Sequence, residues 1–250
     1  MKIIKGLCIA ALLIAAAPLQ AQTADEIISN YLENTGGEEA WAELEGVKMS
    51  AKAKAQGGEF PVTVYTMTDG RTATIIDIQG QTLKQQMFDG EVLWSTNFQT
   101  GVAEKADDES TANMKINSQD FPDPFVNYKE KGYKVELIGS ETVEGTDTYK
   151  IKLMRKPMMA EGKEVDNVTY YYFEKENFVP IVTETEVMSG PGKGMVSQTK
   201  MSDYQEVDGL YFPFSMAFGV KGMPGQEIAI DSIELNPEVE DEVFEFPGGN

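Results

Sequence analysis

The hydrophobic and polar positions follow two different periods along the chain. Residues 23–26 have the form of a helix capping box, in which the Thr23 hydroxyl and the Glu26 side chain each bond a backbone amide of the first turn. Four apolar residues then recur at helical spacing: Ile27, Ile28, Tyr31 and Leu32. The pattern predicts a helix that begins at Ala24, ends before Gly36-Gly37 and is followed by a short helical piece at 38–44.

After Gly46 the period changes to two, which is the spacing of a half-buried strand. Strands are predicted at residues 47–53, 60–66, 72–78, 83–87, 92–95, 134–140, 146–155, 167–174, 179–188, 196–204, 211–220 and 226–235, with a further short one at 243–246. Short turns join most of them, and strands do not alternate with helices. The expected fold class is therefore mainly β with few helices (α+β), built on one large curved antiparallel sheet.

The segment 97–132 interrupts this pattern. Residues 103–117 are polar and acidic with helical propensity, and the sequence Phe121-Pro122-Asp123-Pro124-Phe125 then places two aromatics between prolines. A long insertion without strands in a sheet protein is often functional. We expect residues 103–117 to form a lid, with a solvated connector as the alternative, and Phe121 and Phe125 to plug an open edge of the sheet.

The first 21 residues have the pattern of an export signal. Lys2 and Lys5 precede an apolar run of 11 residues at 7–17, and Ala21 offers a small residue for cleavage. The run is shorter than the roughly 20 apolar residues that span a bilayer. We expect cleavage after Ala21, which leaves a single exported and soluble domain at 22–250 with no stable membrane span.

Composition then excludes several kinds of chemistry. The chain has no histidine and one cysteine, Cys8, which lies in the expected signal segment. Ser-His-Asp and Cys-His catalysis, disulfides and ordinary zinc sites are therefore excluded from the mature chain. The formal net charge of −20 opposes binding to nucleic-acid phosphates. Local resemblances to catalytic, phosphate-binding and calcium-binding motifs have the wrong context, so no catalytic residue, metal site or cofactor is expected.

One set of apolar residues recurs on alternate strand positions and is the predicted lipid-binding set: Tyr149, Ile151, Leu153, Tyr170, Tyr172, Phe212, Phe214, Met216 and Phe218. An apolar sheet face must be covered, and the first helix and the middle segment are the available covers. So little helix over about a dozen strands favours a groove or cavity. A solid core built from the same aromatics remains the alternative.

Counting hairpins predicts a second feature. In an up-and-down meander successive turns alternate between the two ends of the sheet, so the loops 156–163, 188–195 and 221–225 should share one end. These loops carry five methionines: Met158, Met159, Met188, Met195 and Met223. Methionine is flexible and polarizable. We hypothesise that the three loops form a mobile rim at the mouth of the cavity.

Several stretches, taken in order, resemble one protein family. They are residues 24–37 followed by Trp41, residues 128–139 and 143–151, residues 172–182, residues 204–213 with the sequence YQEVDGLYFP, and residues 243–247 with the sequence VFEFP. Together they are similar to the LolA/LolB-like superfamily of periplasmic outer-membrane lipoprotein-sorting proteins. The resemblance covers nearly the whole mature chain, and it implies an incomplete antiparallel β-barrel closed by helices, with an apolar cavity that shields acyl chains.

The function that the resemblance implies is a non-enzymatic, chaperone-like periplasmic carrier in outer-membrane biogenesis. Its partners would be lipoproteins or other lipids, bound through their acyl chains, and a membrane-bound donor or acceptor protein. Two alternatives of other classes stay open. One is a secreted hydrolase that uses two close carboxylates, and the other is a protein-interaction module with a solid core.

Overall fold

The computed structural model describes residues 22–55 and 58–248. Its helices are α1 (Ala24–Asn34), α2 (Glu38–Ala42) and α3 (Asp108–Asn117). Its strands are β1 (Gly46–Ala55), β2 (Gly58–Met67), β3 (Thr72–Ile78), β4 (Gln81–Phe88), β5 (Leu93–Thr96), β6 (Ala103–Lys105), β7 (Lys134–Val143), β8 (Thr146–Met154), β9 (Met158–Ala160), β10 (Lys163–Val165), β11 (Val168–Glu174), β12 (Pro180–Glu186), β13 (Val196–Val207), β14 (Leu210–Val220) and β15 (Gln226–Leu235). The expected signal segment lies outside the described residues.

Thirteen of these strands form one antiparallel sheet in the order β6-β5-β4-β3-β2-β1-β15-β14-β13-β12-β11-β8-β7, and β9 and β10 form a separate hairpin. The predicted fold class is confirmed, because the sheet is large, curved and not closed into a barrel. Its two edges are β6 and β7, which are consecutive strands of the sheet along the chain. Residues 106–133, here named the crossing segment, therefore connect one edge to the other.

Helix α1 packs against the sheet through the predicted apolar face, and its capping box at Thr23 and Glu26 is present. The helix end is attached to the β13–β14 turn, because the Tyr211 amide donates to the Thr35 carbonyl over 3.0 Å. Gly36 has φ +124° and lies so close to Gly209 that an added Cβ would be 2.5 Å from its carbonyl oxygen. Only glycine fits this approach without displacing the turn.

Trp41 of α2 continues this cover over the sheet. Its ring lies 5.0 Å from the ring of Phe212 on β14. Its indole Nε1 donates to the Thr35 hydroxyl over 3.1 Å, so the polar edge of this buried ring is satisfied. The two N-terminal helices thus cover the half of the sheet face that is nearest to the start of β14.

The predicted strand at 243–246 is wrong. Asp241–Val243 forms a 3-10 turn, and Phe244 is fully buried in a second core with Met67, Ala73 and Trp94. The Trp94 indole donates to the Phe244 carbonyl over 2.9 Å. The apolar residues near 244 alternate because they pack onto the sheet, and alternation alone does not distinguish this from strand pairing. The short strands β6, β9 and β10 were not predicted.

The second core lies on the opposite face from α1. On β2, Tyr65 packs against the second core and is paired with Ala73 of that core. The adjacent residue Val64 is paired with Met49, which lies on the face that α1 covers. Successive strand residues point to opposite faces. The C-terminal segment therefore closes one face of the first meander, and the helices close part of the other.

Replacing Phe244 with alanine should lower the free energy of unfolding by about 3–5 kcal/mol, because it empties a fully buried ring site. The matched control is Phe218→Ala, at a position that is 40% exposed. We expect the control to cost less than about 1 kcal/mol. Urea unfolding followed by circular dichroism measures both, and equal losses would contradict the two-core description.

Candidate functional site

The sheet face that packs against α1, here named the inner face, carries most of the predicted lipid-binding residues. Ile151 and Leu153 of β8 and Phe212 of β14 belong to the main core with α1, and Phe214 and Met216 pack against it. Ile151 and Leu153 are completely buried. They therefore belong to the packed half of this face and do not line an open space. Tyr149 is partly buried and stacks on Phe178 at 6.1 Å.

Burial decreases steadily along β14. Phe212 is 9% exposed beneath Trp41, Phe214 and Met216 are half-buried, and Phe218 is 40% exposed. The neighbouring strand β15 shows the same trend, since Ile230 is buried and Ile228 is half-buried. The helices cover one half of the inner face and leave the other half partly open. The inner face is thus neither a solid core nor a closed cavity.

Tyr170 and Tyr172 do not share this face. They pair with Lys152 and Lys150, on the opposite side from Ile151. The Lys150 ammonium lies 5.2 and 5.0 Å from the two tyrosine rings. The prediction that Tyr170 and Tyr172 line the ligand space is therefore corrected. All four residues at 170–173 are aromatic, so the alternation of the sequence could not show whether the even-numbered or the odd-numbered ones face inward.

Tyr171 and Phe173 occupy the inner positions instead, and Phe125 of the crossing segment covers them. Its ring lies 4.8 Å from Tyr171, 5.6 Å from Phe173 and 6.2 Å from Tyr31, and it is fully buried. Phe121 is partly buried against the same core. β11 lies two strands in from the β7 edge, so Phe125 covers the face of the sheet. The prediction that Phe125 plugs an open edge is therefore wrong.

A buried carboxylate fastens the crossing segment to α1. The Tyr31 hydroxyl donates to Asp123 Oδ2 over 2.8 Å, and the Phe125 amide donates to Asp123 Oδ1 over 2.8 Å. Burial raises the pKa of Asp123 to about 6, although these two hydrogen bonds and the Lys131 charge act in the opposite direction. Part of the residue surface still reaches solvent. The attachment of the cover thus includes a group that titrates in the mildly acidic range.

A second fastening was missed by sequence reasoning. Arg155 directly follows β8 and donates to Asp120 of the crossing segment over 2.5 Å, and also to Asn167 and Thr169. The Tyr133 hydroxyl donates to the same Asp120 over 2.8 Å. Arg155 and Arg71 are the two arginines of the chain. The rarity of arginine was the available signal, but its partners lie on distant segments that the sequence does not bring together.

The predicted lid at 103–117 divides into two parts. Its first three residues are the edge strand β6, and helix α3 forms most of the remainder without burying any side chain. The Asn113 side chain accepts from the Met159 amide over 2.8 Å and donates to the Met159 carbonyl over 2.7 Å. Glu109 accepts from the amides of Glu161 and Gly162. Helix α3 is therefore attached to the β9–β10 hairpin by polar contacts.

The antiparallel order places the three predicted rim loops at the same end of the sheet. Met158 and Met159 lie on β9 and are partly buried, as is Met188. Met195 and Met223 are 47% and 64% exposed. The mobility and the role of these loops remain predictions.

A cleft of about 620 Å³ lies between the end of α1, the β11–β12 turn and β13. Its lining combines apolar side chains with polar ones at its margin: Asn34, Glu174, Asn177, Val179, Ile181, Met201, Ser202, Asp203, Tyr204 and Tyr211. Met201 is paired with Met216, so the cleft adjoins the inner face. Sequence analysis did not predict this cleft, because its residues come from a helix, a turn and several strands that are separate in the sequence.

On the outer face, Glu184 connects three strands and a loop. Tyr172 and Gln198 donate to its carboxylate over 2.9 Å each, and Lys221 lies 2.9 Å from it. Burial acts to raise the pKa of Glu184, but the hydrogen bonds from Lys221, Gln198 and Tyr172 outweigh it, and the pKa is lowered. Lys221 thereby holds the β14–β15 loop against β12.

Within the described part of the chain, His, Cys, Asp and Glu residues form no group of three or more that is arranged to hold a metal ion. The helices of this same part were also compared with the dimensions of a bilayer. None of them is long and apolar enough to cross it.

Comparison with solved structures identifies the fold. A LolA superfamily protein from Nitrosomonas europaea is 14% identical with a TM-score of 0.52, covering 90% of this chain and 98% of its own. A DUF1329 family protein from Desulfovibrio piger is 13% identical with a TM-score of 0.53, covering 89% and 97%. A Vibrio parahaemolyticus domain described as an outer-membrane lipoprotein-sorting protein is 12% identical with a TM-score of 0.50, covering 88% and 94%.

These likenesses show that the chain has a LolA/LolB-like fold, as the resemblance in the sequence implied. No family model matches the sequence, and no curated protein matches it either. At this level of identity the likeness concerns the fold. What the site binds must be argued from its own residues.

The Asp123 fastening gives a pH-dependent prediction. Folding raises its pKa from 3.8 to about 6, so its contribution to stability is largest below pH 3.8 and is lost as the pH rises towards 6. Asp123→Asn removes this loss, and its amide group can still accept from the Phe125 amide and donate to the Tyr31 hydroxyl oxygen. The variant should therefore gain stability over the parent between about pH 4 and 7, by at most about 3 kcal/mol.

Urea unfolding of both proteins across that pH range measures the difference. Asp166→Asn, at an exposed position, is the control for removing one carboxylate from the surface. A flat difference for Asp123→Asn would show that this carboxylate titrates normally.

Proposed function

We propose that this protein is a periplasmic carrier that binds the acyl chains of lipoproteins or other lipids on the open half of the inner face. It would take part in sorting lipoproteins to the outer membrane. The observation that carries the proposal is the burial gradient along β14, from Phe212 beneath Trp41 to the exposed Phe218. A strand face that is apolar throughout but covered along only half of its length leaves a surface that an apolar chain can cover.

The energetics suit reversible binding. Each methylene removed from water contributes about 0.8 kcal/mol, so a chain burying about 14 methylenes gains roughly 11 kcal/mol. Association costs at least about 4 kcal/mol, which leaves a dissociation constant on the order of 10 μM. A carrier must release its cargo, and this affinity permits release. The adjoining cleft of about 620 Å³ falls within the usual range of small-molecule sites.

The fold supports the proposal without deciding the ligand. The likeness to a domain described as an outer-membrane lipoprotein-sorting protein extends over 88% of this chain. The expected export signal at 1–21 would deliver the protein to the compartment where such carriers act. The three loops that carry methionines, at 156–163, 188–195 and 221–225, would form the mouth through which the acyl chain enters.

The two rival functions have less support from the residues. Asp120 and Asp123 lie close enough to influence each other electrostatically, but Asp120 is bonded to Arg155 and Tyr133. Asp123 is bonded to Tyr31 and Phe125. Both carboxylates are thus engaged in fastening the cover. A module with a solid core would not leave Phe218 and its neighbours exposed. The carrier proposal requires no catalytic group, cofactor or metal.

Phe218→Glu should weaken binding of a fluorescent long-chain fatty acid at least about tenfold, because it places a charge where methylenes would lie. Ile138→Glu is the matched control, since Ile138 is 47% exposed on the edge strand β7. The control should bind as the parent does. Fluorescence titration gives the affinities, and thermal unfolding verifies that both variants fold. Unchanged binding by Phe218→Glu would contradict the proposed site.

Weakening the attachment of α3 should change the rate of fatty-acid release more than the free energy of unfolding. Asn113→Ala removes both hydrogen bonds to Met159 at a partly buried contact, at a cost of about 1–2 kcal/mol. We expect faster fatty-acid release in stopped-flow displacement, because α3 is then held by fewer contacts. Lys115→Ala, on the exposed side of α3, should leave the release rate unchanged. An unaltered rate in Asn113→Ala would mean that α3 is a connector and not a lid.

A further inference from the structure

The exposed apolar side chains of the described part are concentrated at one end of the sheet. We name as the open end the one that holds the β5–β6, β12–β13 and β14–β15 loops, which the antiparallel order places together. Of the seven large hydrophobic residues that are exposed, five lie in these loops or beside them: Phe98, Val102, Met195, Phe218 and Met223, at 64%, 59%, 47%, 40% and 64%. Phe98 and Val102 extend the group beyond the methionine loops to the first meander.

The local backbone presents three of these side chains in the same way. Val102, Met195 and Met223 each follow a glycine with positive φ, at +70°, +81° and +81°. A left-handed residue reverses the chain direction at little cost when it is glycine. Each loop therefore turns sharply just before an apolar side chain, and that side chain projects from the fold.

Charge distinguishes these three loops from the turns at the opposite end of the sheet. The loops 97–102, 187–195 and 221–225 contain no acidic residue, although 41 of the 250 residues are acidic, and they carry Lys193 and Lys221. Each described turn at the opposite end contains at least one acidic residue: Asp69, Asp89, Glu91, Glu144, Glu176 and Asp208. The connection between β8 and β11 lies at the same end and is acidic, with Glu161, Glu164 and Asp166, and Lys193 lies 2.6 Å from the Glu161 carboxylate.

We propose that the open end is a membrane-contacting surface, in which Phe98, Val102, Met195 and Met223 insert into the interfacial layer of a lipid bilayer. Projecting apolar side chains on several separate loops can all meet a planar layer, whereas a protein partner would need matching depressions. A bilayer interface accepts apolar side chains from loops that carry little charge. Anionic headgroups repel the acidic turns of the opposite end, which orients the loops without acidic residues towards the lipid.

This surface goes beyond acyl-chain carriage and does not depend on it. Insertion of four side chains gives weak and reversible attachment, since the cost of association offsets much of the gain from removing them from water. The contact would place the exposed end of the inner face, at Phe218, directly against the membrane.

The test is flotation of the purified protein with phosphatidylcholine vesicles. The variant Phe98→Ser/Met195→Ser/Met223→Ser should bind at least about tenfold more weakly than the parent. The variant Ile138→Ser is the matched control, because Ile138 is 47% exposed on the edge strand β7, away from the loops of the open end and from the cleft. It should bind vesicles as the parent does. Replacing part of the phosphatidylcholine with phosphatidylglycerol should not strengthen binding of the parent.

Failure of the parent to bind vesicles, or an equal loss in both variants, would overturn the proposal. A change of oligomeric state in the triple variant without any change in flotation would also overturn it, and would identify an interface between copies of the chain. Fatty-acid titration without vesicles separates the two proposals. If the protein binds the fatty acid but does not float with vesicles, the membrane surface is refuted. If it floats with vesicles, loses flotation in the triple variant and does not bind the fatty acid, the carrier function is refuted instead.

Discussion

The rest of the structure follows from one constraint, which is that a thirteen-stranded antiparallel sheet has more apolar surface than its few helices can cover. The hydrogen-bonded ladder fixes which side chains share a face, and α1 and α2 cover only the part of that face beneath Trp41. A sheet of this width is expected to curl, and curling brings the β6 and β7 edges towards the crossing segment. β6 has three residues, and β7 carries Lys134, Glu136 and a bulge at Ile138, which protect both edges from pairing with other chains.

The covers are held in two physically different ways. Phe125 and α1 are attached by buried aromatic contacts, which resist opening because separation exposes large apolar surfaces to water. Helix α3 buries no side chain and is attached by amide and carboxylate contacts, whose net stabilisation is about 1 kcal/mol each. Water can replace the contacts of α3 at little cost. Opening should therefore begin at α3, while the packed half remains intact.

Sequence patterns predicted the fold well, because period and turn chemistry are local properties. The capping box at Thr23, the buried face of α1 and the main strands could be predicted in this way. The failures share one cause, which is that local pattern does not define a three-dimensional partner. The tyrosines at 170–172 are apolar enough for either face of the sheet. Phe244 lies in a segment that alternates like a strand, but the segment packs onto the sheet and does not pair with it.

The candidate site was less predictable for the same reason. Its outline depends on contacts between segments that are far apart in the chain, such as Tyr31 with Asp123 and Asp120 with Arg155. Composition did indicate that histidine takes no part in the site, because the sequence contains none. It did not indicate which half of the face would be left uncovered, because that is decided by where the helices end.

Strand β14 connects the covered half of the inner face with the open end. β14 begins with Phe212 beneath Trp41 and ends beside the loop that carries Met223. Between them, Phe214, Met216 and Phe218 form a continuous apolar row, because alternate residues of a strand share one face. In the proposed carrier, an acyl chain that moves along this row would exchange one apolar contact for the next without crossing a polar gap. The barrier to entry would then be set by α3 and the loops, and not by dehydration of polar groups along the path.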